Sequence, residues 1–169
     1  AKTVKVGSPI TSVGLRGDGH EIFVGTKKSE IHRVGLADFK AEMRLVSHYT
    51  KVNAIEFAPG SSDLFATCSG PEIRVWHTPT NKEMLRIAVP NQVCNSVGFM
   101  ADGKAIISGW DDGKIRAFLP EAGKFKYEIN HAHNKGDTAV AACADGKRMV
   151  SGGGDGLIRV WQIGPQSHT

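Results

Sequence analysis

The side chains in this sequence whose types could do chemistry gather toward its end: His131 and His133, then Ser151, a glycine run broken by Asp155, and Trp161. Three chemistries have to be weighed. Two histidines two apart on a strand face the same way and could begin a metal site. No nearby cysteine or carboxylate completes a ligand set, however. The run GGGDG over residues 152–156 looks like a phosphate cradle. A phosphate-binding loop needs GxxxxGK[ST] opening a helix, and these glycines lead into an alternating apolar strand. A His, a Ser and an Asp in one segment invite a hydrolase, yet Ser151 has no nucleophile elbow around it. The sequence therefore predicts no catalytic residue, no cofactor and no metal.

What positions these residues is a repeat. SGGGDGLIRVW, residues 151–161, reads as a strand end, a Gly-rich turn carrying Asp155, and a second strand, which is a hairpin pattern. Worn copies precede it: SGWDDGKIRAF at 108–118, TCSGPEIRVW at 67–76 and GTKKSEIHRV at 25–34. The closing residues Val34, Trp76, Phe118 and Trp161 are spaced by 42, 42 and 43 positions. A period of 40 to 45 residues marks four-stranded propeller blades. Each copy reads strand, turn, strand, turn, strand, and the alternating segments at 42–47, 84–89 and 126–131 supply a fourth, outermost strand. The expected fold class is all-β: four antiparallel four-stranded blades over residues 7–47, 48–89, 90–132 and 133–169, forming a propeller segment. Residues 1–6 fall in register with the outermost strands and are expected to complete a neighbouring or terminal blade.

Composition agrees with short strands and tight turns. The 169 residues hold 20 glycines and 7 prolines spread along the chain, and 40% of the residues are hydrophobic, enough for a packed core. The net charge of +4 comes from lysines and arginines scattered among 17 acids, so nothing resembles a nucleic-acid-binding arm. Cys68, Cys94 and Cys143 are odd in number and far apart, which points to reduced thiols and a cytosolic compartment. No segment has the length and apolarity of a membrane span, and residues 1–9 lack an apolar signal core. No nucleic acid and no membrane are expected as partners.

The repeats resemble those of the WD40 family over essentially the whole chain. In that family a buried relay of His, Ser or Thr, Asp and Trp ties the blade together, and the resemblance assigns these roles to His133, Ser151, Asp155 and Trp161. The other copies depart from the pattern. The third keeps Ser108 and Asp112 but has Phe118 for the Trp and Pro90 for the His. The second keeps His48, Thr67 and Trp76 but has Gly70 where the acid belongs, and the first lacks both the aromatic at Val34 and an acid at Lys28. The runs IRVWHT, LRIAVPN and DGKAIISGWDDGKIRAF resemble more narrowly the cilia- and flagella-associated WD-repeat proteins. That resemblance implies that the segment is part of a larger, seven-bladed propeller, in a non-enzymatic scaffold inside the doublet microtubules of the motile axoneme, contacting tubulin and other axonemal proteins.

Within that frame four residues are candidates for partner binding. Trp110, in the turn after the second strand of its blade, is an interface anchor unless it packs against the next blade. Asp111 is its companion. Lys27 and Lys28 occupy the matching turn of the first blade and suit an acidic surface. Open blade faces allow self-association. The alternative function is a general cytosolic WD40 adaptor, such as a ubiquitin-ligase substrate receptor or a trafficking subunit, holding a peptide on one propeller face.

Overall fold

The computed structural model describes residues 1–46, 48–60, 63–134, 136 and 138–163, and among them every regular element is a β-strand. The strands form four antiparallel sheets in chain order. The first sheet holds β1 (Ile10–Leu15), β2 (Glu21–Thr26), β3 (Glu30–Gly35) and β4 (Ala41–Val46). The second holds β5 (Ala54–Phe57), β6 (Leu64–Ser69), β7 (Glu72–His77) and β8 (Lys82–Ala88), and the third β9 (Cys94–Phe99), β10 (Ile106–Trp110), β11 (Ile115–Phe118) and β12 (Phe125–Ile129). The fourth has three strands: β13 (Ala139–Ala142), β14 (Arg148–Gly152) and β15 (Ile158–Gln162). Each pairs with its sequence neighbour, because turns of a few residues built on positive-φ glycines such as Gly103 and Gly146 reverse the chain at once.

The sheets stand side by side as blades, with the first strand of each packed on the first strand of the next: β1 on β5, β5 on β9, β9 on β13. A hydrogen bond repeats at each of these joints. Thr11 Oγ1 donates to the Val52 carbonyl at 2.6 Å, Asn53 Nδ2 to the Cys94 carbonyl at 2.7 Å, and Ser96 Oγ to the Thr138 carbonyl at 2.9 Å. The apolar cores lie between blades. Phe23 and Ile31 of the first meet Phe57, Phe65 and Trp76 of the second, with Phe23 edge-on to Phe57 and to Phe65. Ala66, Cys68, Ile73 and Val75 meet Val97, Phe99 and Ile106 across the next interface, and Ile107, Ile115 and Ala117 meet Met149 and Trp161 across the last.

Burial follows from this stacking. A blade with a neighbour on each side is apolar on both faces, so β10 is buried at every residue and β6 at all but its first. The outer blades cover one face only. Ile10, Val13 and Leu15 of β1 and Ile158 and Val160 of β15 are exposed, Ile158 at 83%.

Residues 1–6 pair with no strand among the described residues, and Lys2 lies over the Phe39 ring at 4.9 Å. An outermost strand exists by pairing with the third strand of its blade. β15 has no such partner described, and it sits at the other end of the row of blades.

Candidate functional site

The His133, Ser151, Asp155 and Trp161 side chains meet in the fourth blade. Ser151 on β14 and Trp161 on β15 are brought together by strand pairing, since Ser151 pairs with Arg159 and Met149 with Trp161. His133 arrives from the loop before β13. Its Nε2 is 2.8 Å from Ser151 Oγ and its Nδ1 2.9 Å from Asp155 Oδ1, while Trp161 Nε1 donates to Ser151 Oγ at 2.9 Å. One proton arrangement satisfies the chain: the indole N–H donates to Ser151, the Ser151 hydroxyl donates to Nε2, and the Nδ1–H donates to Asp155.

Asp155 also accepts from the backbone N–H groups of Asn134 and Leu157 and from Arg159 Nη1. Burial pushes its carboxyl up, but the hydrogen bonds from His133, the two amides and Arg159 outweigh it and hold the group well below the usual carboxylate range. An acid this firmly ionised, with its oxygens engaged, orients the imidazole. Ser151 is buried, so its hydroxyl is spent on fixing Trp161 and His133 and presents no nucleophile to solvent.

The glycine run has a steric purpose. A Cβ at Gly153 would collide with the His133 imidazole, and one at Gly113, where φ is +75, would strike the His133 carbonyl. His131 and His133 do not face the same way: they lie in a turn and not on a strand, with His131 exposed at φ 55 and His133 buried.

The second blade builds a partial relay. His48 Nε2 is 2.8 Å from Thr67 Oγ1, which also accepts from Trp76 Nε1 at 2.9 Å. The missing acid is replaced in part by Glu72, 3.8 Å from His48 Nδ1, too far to bond. Glu72 is held instead by Arg74 at 2.6 Å, and His48 Nδ1 is buried without a hydrogen-bond partner among the described residues. Burial, followed by the Arg74 guanidinium, lowers the His48 pKa to about 4.

In the third blade the structure corrects a residue role. Trp110 is the last residue of β10, wholly buried, and its Nε1 donates to Ser108 Oγ at 2.8 Å. Residues two apart on a strand share a face, so Trp110 supplies from the second strand the indole that Phe118 cannot supply from the third. It is not an exposed interface anchor. Asp111 is committed as well: its Oδ1 accepts from the Val93 amide at 2.8 Å and its own amide donates to the Val93 carbonyl, pinning the preceding loop. Lys27 and Lys28 are exposed in the β2–β3 turn, as expected.

Sequence reasoning missed the arginines. Arg74, Arg116 and Arg159 recur once in each of the last three blades, each bound to the acid beside the turn: Glu72, Asp112 and Asp155. The repeated Ile-Arg pair in EIRVW, KIRAF and LIRVW was the available signal.

Comparison with known proteins supports the same architecture. The family model described as "WD domain, G-beta repeat" matches residues 124–162. The chain is 53% identical over 166 residues to a protein of Mus musculus named "Cilia- and flagella-associated protein 52", covering 98% of this chain and 27% of that protein. The protein of that name from Chlamydomonas reinhardtii is 50% identical over 168 residues, with the same coverage. "WD repeat-containing protein 90" of Mus musculus is 28% identical over 125 residues, 70% of this chain and 7% of that protein. The chain thus spans about a quarter of the length of the ciliary relatives it matches. Among solved structures, the computationally designed Ika4 protein superposes with a TM-score of 0.79 at 19% identity, covering 96% of each chain, a likeness of fold alone.

Proposed function

We infer the function from the premise that this chain belongs to the WD40-repeat family. It is part of a ciliary or flagellar WD-repeat protein, and it serves as a non-enzymatic scaffold of the motile axoneme, contacting tubulin and other inner proteins of the doublet microtubules. The observation that carries this reading is an identity of 50% or more, over 98% of the chain, with proteins named for cilia and flagella. The geometry supports the non-enzymatic half: the one His–Ser–Asp set in the sequence is occupied in holding Trp161. The exposed Lys27 and Lys28 support contact with an acidic surface, and the uncovered apolar faces of β1 and β15 support packing against further blades or a second copy.

The test is fractionation of the tagged full-length protein from motile cilia. Retention with the doublets after detergent and high-salt extraction is the expected result. Release into the soluble fraction overturns the scaffold reading and leaves a general WD40 adaptor.

A further inference from the structure

We infer that Tyr49, Lys27, Lys28 and Lys51 form one preorganised surface that receives an acidic, glutamate- or aspartate-rich segment of a partner protein. The inference rests on the scaffold reading for its context and on the following geometry for its content.

Tyr49 is 90% exposed, the most exposed of the large hydrophobic side chains described. Single exposed apolar residues are ordinary on protein surfaces. Tyr49 differs in how its backbone is held. The carbonyl of the next residue, Thr50, accepts from Ser29 Oγ at 2.6 Å and from Ser69 Oγ at 3.0 Å, and Thr50 Oγ1 is 2.7 Å from Ser69 Oγ. Ser29 belongs to the β2–β3 turn of the first blade and Ser69 ends β6 of the second, so the loop is pinned between two blades. A side chain presented from a fixed loop loses little conformational freedom on binding, and tyrosine is enriched at the centres of interfaces.

The Ser29–Thr50 bond also sets the charges. It places the turn bearing Lys27 and Lys28 against the loop bearing Tyr49 and Lys51, all three lysines exposed. None of their ammonium groups has a hydrogen bond or ion pair among the described residues. Arg86, which lies within electrostatic reach of the Tyr49 hydroxyl, and Arg74 are joined to Glu72 and Glu83, two positive against two negative. Glu30, two residues from Lys28, is engaged by Thr26 and His32, and the three lysines form no ion pair among the described residues. A segment that aligns carboxylates with the lysines and lays apolar stems on the ring fits this arrangement.

The test uses the full-length protein and a fluorescein-labelled poly-glutamate peptide, read by anisotropy at low and at moderate salt. Wild type is expected to bind at low salt, weakening as salt screens the contact. Lys27→Glu/Lys28→Glu/Lys51→Glu is expected to weaken binding about tenfold or more, and Tyr49→Ala severalfold. The control Lys104→Glu/Lys124→Glu/Lys147→Glu makes the same change in net charge at turns on the opposite ends of the strands, and it should stay within about twofold of wild type. Near-UV circular dichroism confirms that each variant is folded. No binding by wild type, equal loss in the control, or no loss in the Tyr49 and lysine variants overturns the inference. A protein that stays with doublets but fails this test sinks this inference alone; one that passes it but is released from doublets sinks the scaffold reading alone.

Discussion

His48 makes the second blade sensitive to mild acid. Its imidazole is buried, its Nε2 is committed to Thr67, and Arg74 stands nearby, so the folded protein holds the group near a pKa of about 4 against the ordinary 6.5. The unfolded chain takes up a proton below about pH 6.5 while the folded chain stays neutral until about pH 4. Stability therefore falls as pH drops through this window and levels off below it. The full linkage is about 3 kcal/mol, and at pH 5 about 2 kcal/mol of it has already been lost. His48→Gln places a neutral amide near Thr67 and cannot titrate. Urea unfolding followed by tryptophan fluorescence, at pH 7.5 and pH 5, compares the two proteins. Removing His48 lowers stability at both pH values, but the wild type should lose about 2 kcal/mol more than the variant on acidification. Equal losses in the two proteins would show that the imidazole is protonated in the fold, and the reasoning from burial and Arg74 would be wrong.

Three further outcomes follow from the contacts. Gly153→Ala drives a methyl into the His133 ring and should cost about 1–3 kcal/mol in urea unfolding, as overpacking does. Trp110→Phe keeps most of the ring volume and loses the bond to Ser108, costing about 1 kcal/mol, whereas Trp110→Ala empties a core site and costs about 3–5 kcal/mol; poly-glutamate affinity of the folded Trp110→Phe protein should match wild type. Val24→Thr introduces a buried hydroxyl in the first blade with no indole to meet it, and should lower the urea midpoint by the equivalent of about 1–3 kcal/mol.

The blades were legible because the hydrophobic pattern and the turns repeat with a fixed period, whereas His133, Ser151, Asp155 and Trp161 were assigned to a relay by the resemblance to WD40 repeats. Trp110 was placed in the turn because the second strand of its blade was ended one residue early, whereas β10 runs through Trp110. The two-residue spacing from Ser108, together with Phe118 in the indole position, held the answer. Glu72 was invisible as a substitute acid because it follows the turn instead of sitting in it, and only side-chain reach brings it toward His48. Tyr49 carried no pattern at all. Its significance comes from hydrogen bonds between blades, and sequence period does not report contacts of that kind.

The first blade shows what the relay is for. Strand pairing aligns Val24 with Thr67 and Val34 with Trp76: Val24 pairs with His32 as Thr67 does with Arg74, and Val34 pairs with Ile22 as Trp76 does with Phe65. This shifts by one residue the alignment read from sequence, which matched Gly25 to Thr67. The first blade has therefore lost the hydroxyl acceptor and the indole donor together, and both replacements are buried valines. Losing both partners of a hydrogen bond leaves no unsatisfied group, so it costs far less than losing one. The third blade, having lost the usual indole but kept Ser108, recruited Trp110; the second kept hydroxyl and indole and left a histidine nitrogen unpaired. In the three blades that keep the hydroxyl an indole N–H reaches it, while histidine and acid vary. The constant element is the satisfied indole under the blade surface. The histidine and carboxylate are supports for it, and that ranking is a structural one, with no step of chemistry in it.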